Sequence, residues 1–278
     1  MFVSNISNPV CKIKTKIICM IALLLVAMLI PSKAFGRDEL ALAQDTKLDL
    51  FLLAGQSNMA GRGKVEAQDK KVDPHVWMFT KTNAWAPAID PLHFDKKIAG
   101  VGPGRTFGIA VAEADPRVNV GLVPCAVGGT SIDQWKKGGK LYTEAIDRAK
   151  AAMAQGTFKA ILWHQGESDA NPNKAKLYAA KLTKLIADFR SDLGLPELPF
   201  IVGELGPFHE KTSPGTDAFN AQLESFAKTE ANCACVSSEG LTSIGDNTHF
   251  DAASQREFGR RYAAAYLAMT HSSPTVQH

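Results

Sequence analysis

Apolar residues run unbroken through Leu50-Phe51-Leu52-Leu53-Ala54 and then give way to Gly55-Gln56-Ser57-Asn58. A short continuous apolar run closed by glycine reads as a strand buried on both faces, here over 48–54. Shorter runs predict four more strands, over 118–123, 160–163, 199–202 and 234–236. Between them the period changes to that of a helix. Phe107, Ala110, Val111 and Ala114 recur on one face until Pro116 stops the run. A helix is expected over 141–155, with Gly156 as its C-terminal stop. Leu182, Leu185, Ile186, Phe189 and Leu193 share the apolar face of a helix that starts after Pro172 and ends at Gly194. Phe219, Leu223 and Phe226 mark the next helix; Phe258, Tyr262 and Tyr266 mark a last one over 252–269. Strand and helix alternate throughout. That order predicts a five-stranded parallel sheet with helices on both faces, in one α/β domain over 48–270, with a disordered tail at 271–278.

Residues 61–103 break the alternation. They are rich in Gly, Lys, Asp and Pro, with one apolar run at 76–79. The segment reads as a long excursion over the carboxyl end of the sheet, with room for a small hairpin. Loops of that length are usually functional or mobile. Trp77, Trp85 and His93 within it are candidates for a sugar-binding surface; packing of the loop on itself is the commoner reading.

Charge alters the picture only at the N-terminus. The 278-residue chain has a formal charge of +3, but residues 1–36 hold Lys12, Lys14, Lys16 and Lys33 and no acid. The rest carries 27 basic and 28 acidic residues, so no basic patch argues for nucleic acid. Three lysines, an apolar run over 17–30 and Ser32-Lys33-Ala34 have the form of a secretory signal peptide, 1–34, followed by a polar linker, 35–47. The apolar run is shorter than the roughly 20 residues of a spanning helix. The expected location is secreted or periplasmic, with no membrane attachment once the segment is cleaved. Cleavage would leave three of the five cysteines, Cys125, Cys233 and Cys235, which is no disulfide framework. One bridge from Cys125 to either of the others stays open at this level.

The chemistry gathers at predicted strand ends, where open α/β sheets place their sites. Ser57 follows the first strand, Gly128-Gly129 the second, and Gln165 and Glu167 the third; a late loop carries Asp246 and His249. A serine hydroxyl needs a base to become a nucleophile, usually a histidine oriented by a carboxylate. Asp246 and His249 lie three apart, close enough for one turn of chain to join them. Ser57 N–H, a glycine N–H at 128 or 129 and the Gln165 amide are candidate donors to an oxyanion.

Four ordered blocks carry a resemblance. Gly55-Gln56-Ser57-Asn58-Met59, Gly128-Gly129-Thr130-Ser131, Trp163-His164-Gln165-Gly166-Glu167 and Asp246-x-x-His249 resemble those of the SGNH (GDSL-type) hydrolase superfamily. They are most similar to its sialate O-acetylesterase-like branch, which includes the carbohydrate esterase family six acetylxylan esterases. The resemblance covers about residues 48–268. It implies a flavodoxin-like three-layer α/β/α sandwich with an esterase site at the carboxyl end of the sheet. Ser57 is then the nucleophile, His249 the base and Asp246 its orienter, with Gly128 or Gly129 and Gln165 donating to the oxyanion. Glu167 is the rival carboxylate for His249; chain proximity favours Asp246. Gln56 stands where the wider superfamily has an acid. Asn58 and Thr130 are expected to steady the nucleophile turn and the oxyanion loop, and His164 to be structural.

The resulting expectation is a secreted serine esterase that removes O-acetyl groups from a carbohydrate, acetylxylan or a related polysaccharide, without metal or other cofactor. The alternatives are a sialate O-acetylesterase, a carbohydrate-binding protein that has lost catalysis, and a metal-dependent hydrolase using His164, Glu167, Asp246 and His249.

Overall fold

The computed structural model describes residues 1–2 and 41–271. The expected signal peptide, the start of the linker and the C-terminal tail lie outside the described residues. In chain order the elements are β1 (Leu48–Gly55), α1 (Ser57–Ala60), β2 (Val76–Phe79), β3 (Trp85–Pro87), α2 (Gly104–Ala114) and β4 (Val120–Pro124). There follow α3 (Lys140–Ala152), β5 (Gly156–His164), α4 (Pro172–Leu193), β6 (Phe200–Gly203), α5 (Thr216–Thr229), β7 (Cys233–Val236) and α6 (Ala252–His271).

The sheet has seven strands, not five, in the order β3-β2-β4-β1-β5-β6-β7. All pairs are parallel except β2 with β3. The two added strands are the hairpin of the 61–103 excursion. β2 has only four residues, and Pro87 ends the three-residue edge strand β3, a place where proline removes no needed donor. Trp77 is 4% exposed and His93 5%, and the Trp85 ring packs 4.9 Å from that of Phe79. These three side chains pack the excursion rather than line an open surface.

Successive residues of β1 face opposite sides of the sheet, which makes three layers. Leu48, Leu50, Leu52 and Ala54 pack with Ala149 of α3, Phe189 of α4 and Phe219 of α5. Phe51 and Leu53 pack on the other side with Phe107 of α2 and Phe258 and Tyr266 of α6. The Phe51 ring meets those of Phe107 and Tyr266 edge-on at 4.8 and 5.0 Å. Truncating such a ring costs roughly 3–5 kcal/mol. The long helix α4 starts at Pro172 after Asn171, whose side chain accepts the Lys174 N–H, and ends at Gly194 with φ 69°.

Gly156 is not a helix stop. It opens β5, where an added Cβ would lie 2.0 Å from the Leu48 carbonyl oxygen. Glycine there admits the close approach of its parallel neighbour β1, whose Leu48 is its register partner, and α3 closes earlier, at Ala152. Cys125, Cys233 and Cys235 are free thiols. No bridge joins them, because Cys125 follows β4 while the other two lie on β7, the far edge strand.

Candidate active site

β1 sits between β4 and β5, so chain from both neighbours converges beyond its carboxyl end. The turn there is tight. Gly55 has φ 126°, and an added Cβ would lie 2.1 Å from the His164 carbonyl oxygen. Only glycine fits such a backbone at so close an approach. Gln56 N–H then donates to that same carbonyl at 2.8 Å, and α1 begins at Ser57. As the first residue of α1, Ser57 has an N–H with no intrahelical acceptor.

The partners come from the far end of the chain. A bridge between Ser243 and Phe250 closes the loop that carries Asp246 and His249. Asp246 Oδ1 accepts the N–H groups of Thr248 and His249 at 2.9 and 2.8 Å. Its Oδ2 lies 2.6 Å from His249 Nδ1, and His249 Nε2 lies 2.9 Å from Ser57 Oγ. With the proton on Nδ1, held by Asp246, Nε2 is the acceptor that faces the serine hydroxyl. Burial alone would raise the Asp246 pKa, but the hydrogen bonds from the His249 backbone and ring and from Thr248 outweigh it, and the carboxyl titrates below its ordinary range.

Glu167 does not reach His249. Gln56 Nε2 donates to its Oε2, and Asn58 Nδ2 donates to its Oε1 at 2.5 Å. His164 Nδ1 is 3.7 Å from the same carboxylate. The carboxylate is 5% exposed, and the amides of Gln56 and Asn58 satisfy it in place of water. It therefore braces the turn that carries Ser57, through the residues on either side. Burial pulls the His164 pKa down, its Nε2 bonds the Glu204 carbonyl, and its ring packs against Phe250 and Phe258. His164 and Glu167 thus stand apart from the Asp246–His249 pair. Among the described residues no three His, Cys, Asp or Glu side chains are placed to hold a metal.

Asn58 ties the two ends of the chain together. Its Oδ1 accepts the Phe250 N–H at 3.1 Å, and its Nδ2 also donates to the Thr248 carbonyl at 2.9 Å. Gln255 Nε2 donates to the Asn58 carbonyl at 3.0 Å.

The oxyanion side departs from expectation at two positions. Gly128 N–H already donates to Asp95 Oδ2 at 2.9 Å. Gln165 Nε2 donates to the Thr130 carbonyl at 3.0 Å and to Asp169 Oδ2 at 2.7 Å, which uses both its hydrogens. Gln165 thus supports the loop from beneath. Thr130 Oγ1 donates to the Val127 carbonyl and accepts from Trp135 Nε1, which fixes the same loop. Gly129, at φ 81°, keeps an N–H with no acceptor among the described residues. Ser57 N–H and Gly129 N–H are the donors left for an oxyanion.

Arg62 and Asp95 gave no signal in the sequence, since they lie in the aperiodic excursion. Arg62 Nη2 pairs with Asp95 Oδ2 at 2.7 Å, and Nη1 donates to the Gly61 carbonyl at 2.6 Å. A Cβ on Gly128 would meet Arg62 Nη2 at 2.3 Å and Ser57 Cβ at 3.2 Å, so Gly128 lies against both the guanidinium and Ser57. Burial works to raise the Asp95 pKa, but Arg62 and the Gly128 N–H more than offset it and hold the carboxylate charged.

Comparison with known proteins agrees with this arrangement. A family model described as carbohydrate esterase, sialic acid-specific acetylesterase, matches residues 47–268. A probable carbohydrate esterase of Arabidopsis thaliana (At4g34215) is 36% identical over 244 residues, 79% of this chain and 90% of that protein. The X-ray structure of the Arabidopsis thaliana protein AT4G34215 superposes with a TM-score of 0.73 at 33% identity, over 80% of this chain and 98% of that one. NanS shares the fold, with a TM-score of 0.72 at 17% identity over 84% of this chain and 100% of the other. The α/β sheet, the serine turn at its carboxyl end and the match over nearly the whole described domain lead to one conclusion: the chain belongs to the carbohydrate esterase family of the sialic acid-specific acetylesterase (SASA) type.

Proposed function

We propose that this protein is a serine esterase that removes O-acetyl groups from a carbohydrate, acetylxylan or a related polysaccharide, through an acetyl-enzyme intermediate. The single observation that carries the reading is the hydrogen-bonded series Asp246–His249–Ser57, with spacings of 2.6 and 2.9 Å. Ser57 Oγ attacks the acetyl carbonyl carbon as its proton passes to His249 Nε2. Asp246 stabilises the imidazolium that forms, without taking the proton itself. The tetrahedral oxyanion is held by Ser57 N–H and Gly129 N–H. Its collapse breaks the ester C–O bond, and His249 returns the proton to the departing sugar oxygen. A water, deprotonated by His249, then attacks the acetyl-enzyme, and acetate and Ser57 are released. Residues 1–34 support a secreted or periplasmic location by their composition.

The second reading is O-acetylated sialic acid as substrate, favoured by the description of the matching family. Acetate release from acetylated xylan and from O-acetylated sialic acid tests both, with mature protein and its Ser57→Ala variant, with and without chelator. Release from xylan by the wild type alone, unchanged by chelator, is the expected result. Release from sialic acid only would replace the polysaccharide by the second reading. No release from either ester or from aryl acetates would overturn the esterase assignment.

A further inference from the structure

Two glycines in a row make the loosest backbone a chain can have, yet Gly128-Gly129 supplies an oxyanion donor. No side chain packs the turn at Gly129: apart from its chain neighbours, an added Cβ would find only Lys96 Nζ within reach, at 3.8 Å. The direction of the Gly129 N–H is therefore set by what holds the residues on either side. That direction matters, because a donor acts only where it lies about 2.7–3.1 Å from the oxygen that becomes charged.

Upstream, Val127 N–H donates to the Gly55 carbonyl at 3.0 Å, and Gly128 N–H to Asp95. Downstream, the holds meet at one atom. Asp169 Oδ2 accepts the Ile132 N–H at 2.9 Å and Gln165 Nε2 at 2.7 Å. The same Gln165 nitrogen donates to the Thr130 carbonyl at 3.0 Å. Asp169 thus takes the chain at Ile132 directly, and at Thr130 through Gln165.

Asp169 stands on a fixed base between β5 and α4. Its own N–H donates to the Gly166 carbonyl at 2.7 Å. Tyr178 of α4 donates to the Gln165 carbonyl at 2.8 Å, and Lys174 Nζ to the Ser168 carbonyl at 2.9 Å. The side chain is buried, and its other oxygen, Oδ1, has no partner. A buried carboxyl with one oxygen unbonded costs stability. An apolar side chain would serve better if the turn needed only packing, and departures of this kind gather at functional sites.

We infer that Asp169 is a positioning residue for the proposed reaction: through Ile132 and Gln165 it fixes the direction of the Gly129 N–H that receives the oxyanion. Its bonds go to the loop and not to Ser57 or His249, so it acts at one remove. The inference rests on the proposed function for its kinetic arm.

Wild type, Asp169→Ala and Asp169→Asn test it, each held well below its own unfolding transition. On 4-nitrophenyl acetate, Asp169→Ala should lose kcat by roughly 10–100-fold with KM within about twofold, the mark of an interaction made only in the transition state. Trifluoroacetone adds to a serine as a hemiketal whose oxyanion takes the same place, and its affinity should fall in parallel with kcat. Asp169→Asn keeps an acceptor at the position of Oδ2 and should bring kcat back to within about threefold of wild type. In isotope-labelled protein, the Gly129 amide resonance should move in Asp169→Ala and return in Asp169→Asn. A purely structural Asp169 would lower the melting temperature and leave kcat, inhibitor affinity and the Gly129 amide as they are; that result would overturn the proposal. So would equal loss of kcat in the alanine and asparagine variants. If Asp169→Ala does not fold, Gln165→Met cuts the link to Thr130 at its other end, and an unmoved Gly129 amide there would overturn the proposal as well. A wild type inert toward aryl acetates would defeat the esterase reading, while the Gly129 amide would still decide whether Asp169 sets its direction.

Discussion

Asp95 holds Arg62 in an ion pair of 2.7 Å, with the two side chains 1% and 4% exposed, and the same carboxylate oxygen holds the Gly128 amide. Removing one member of a buried pair strands the other charge, at a cost of roughly 3–5 kcal/mol. Asp95→Ala should lower unfolding free energy by about that amount and reduce kcat on aryl acetates, because the glycine turn loses its acceptor. The double variant Arg62→Met with Asp95→Leu should recover much of the stability and little of the turnover. Denaturant unfolding and steady-state kinetics on the three variants check this; recovery of both would show that Asp95 acts on stability alone.

Asp246 and Glu167 should separate cleanly by variant. Asp246→Ala removes the group that orients His249 and should lower kcat by roughly 10³–10⁴. Its effect on the melting temperature should be small, since the loop is exposed. Glu167→Gln removes the carboxylate that gathers the Gln56 and Asn58 amides. That variant should lose stability by about 2–3 kcal/mol, with a smaller loss of kcat than Asp246→Ala.

The neighbouring glycines 128 and 129 should respond differently to alanine. A Cβ on Gly128 collides with Arg62 Nη2 at 2.3 Å. At Gly129 the nearest atom is Lys96 Nζ at 3.8 Å, so the cost is that of the left-handed backbone, about 1 kcal/mol. Gly128→Ala should therefore damage both stability and kcat, and Gly129→Ala should be mild in the melting temperature. Thermal unfolding of the two proteins side by side is the measurement.

Burial pushes the Asp90 carboxyl from its ordinary 3.8 up to about 7. Between those values the unfolded chain has released this proton and the folded chain has kept it. Stability is full below 3.8 and falls as pH rises through the window, by on the order of 2–4 kcal/mol, then stays level with respect to this group. Asp90→Asn keeps a neutral amide in place of the acid. The stability of the variant relative to wild type should rise between pH 4 and 7 and flatten above; a constant difference across that range would show that Asp90 does not titrate there.

Much of this was legible in the sequence, and the reasons differ by residue. The core strands were readable because an unbroken apolar run such as 50–54 suits burial on two faces. His249 and Asp246 were readable because three residues of chain bring them together. β2 shows in the sequence as the apolar run 76–79, but its four residues and the Pro87 of β3 gave no sign that the hairpin extends the sheet. Gln165 and Gly128 were assigned to the oxyanion because nothing along the chain shows that Asp169 and Asp95 occupy their donors. Arg62 and Asp95 are 33 positions apart in an aperiodic loop, and only folding makes them neighbours.

Asn58 bonds Phe250 and Thr248 across more than half of the chain, and Ser57 meets His249 across 192 positions. Ser57, the proposed nucleophile, is made early, and His249, its proposed base, late. A growing polypeptide can therefore complete most of the sheet, with Ser57 already in its turn, while remaining chemically silent. On the proposed mechanism, hydrolysis can begin only when the loop before the last helix has been synthesised and seated. If His249 is the base, a nonsense mutation anywhere upstream of it should yield inert protein, and the appearance of activity during translation would time the end of folding rather than its start.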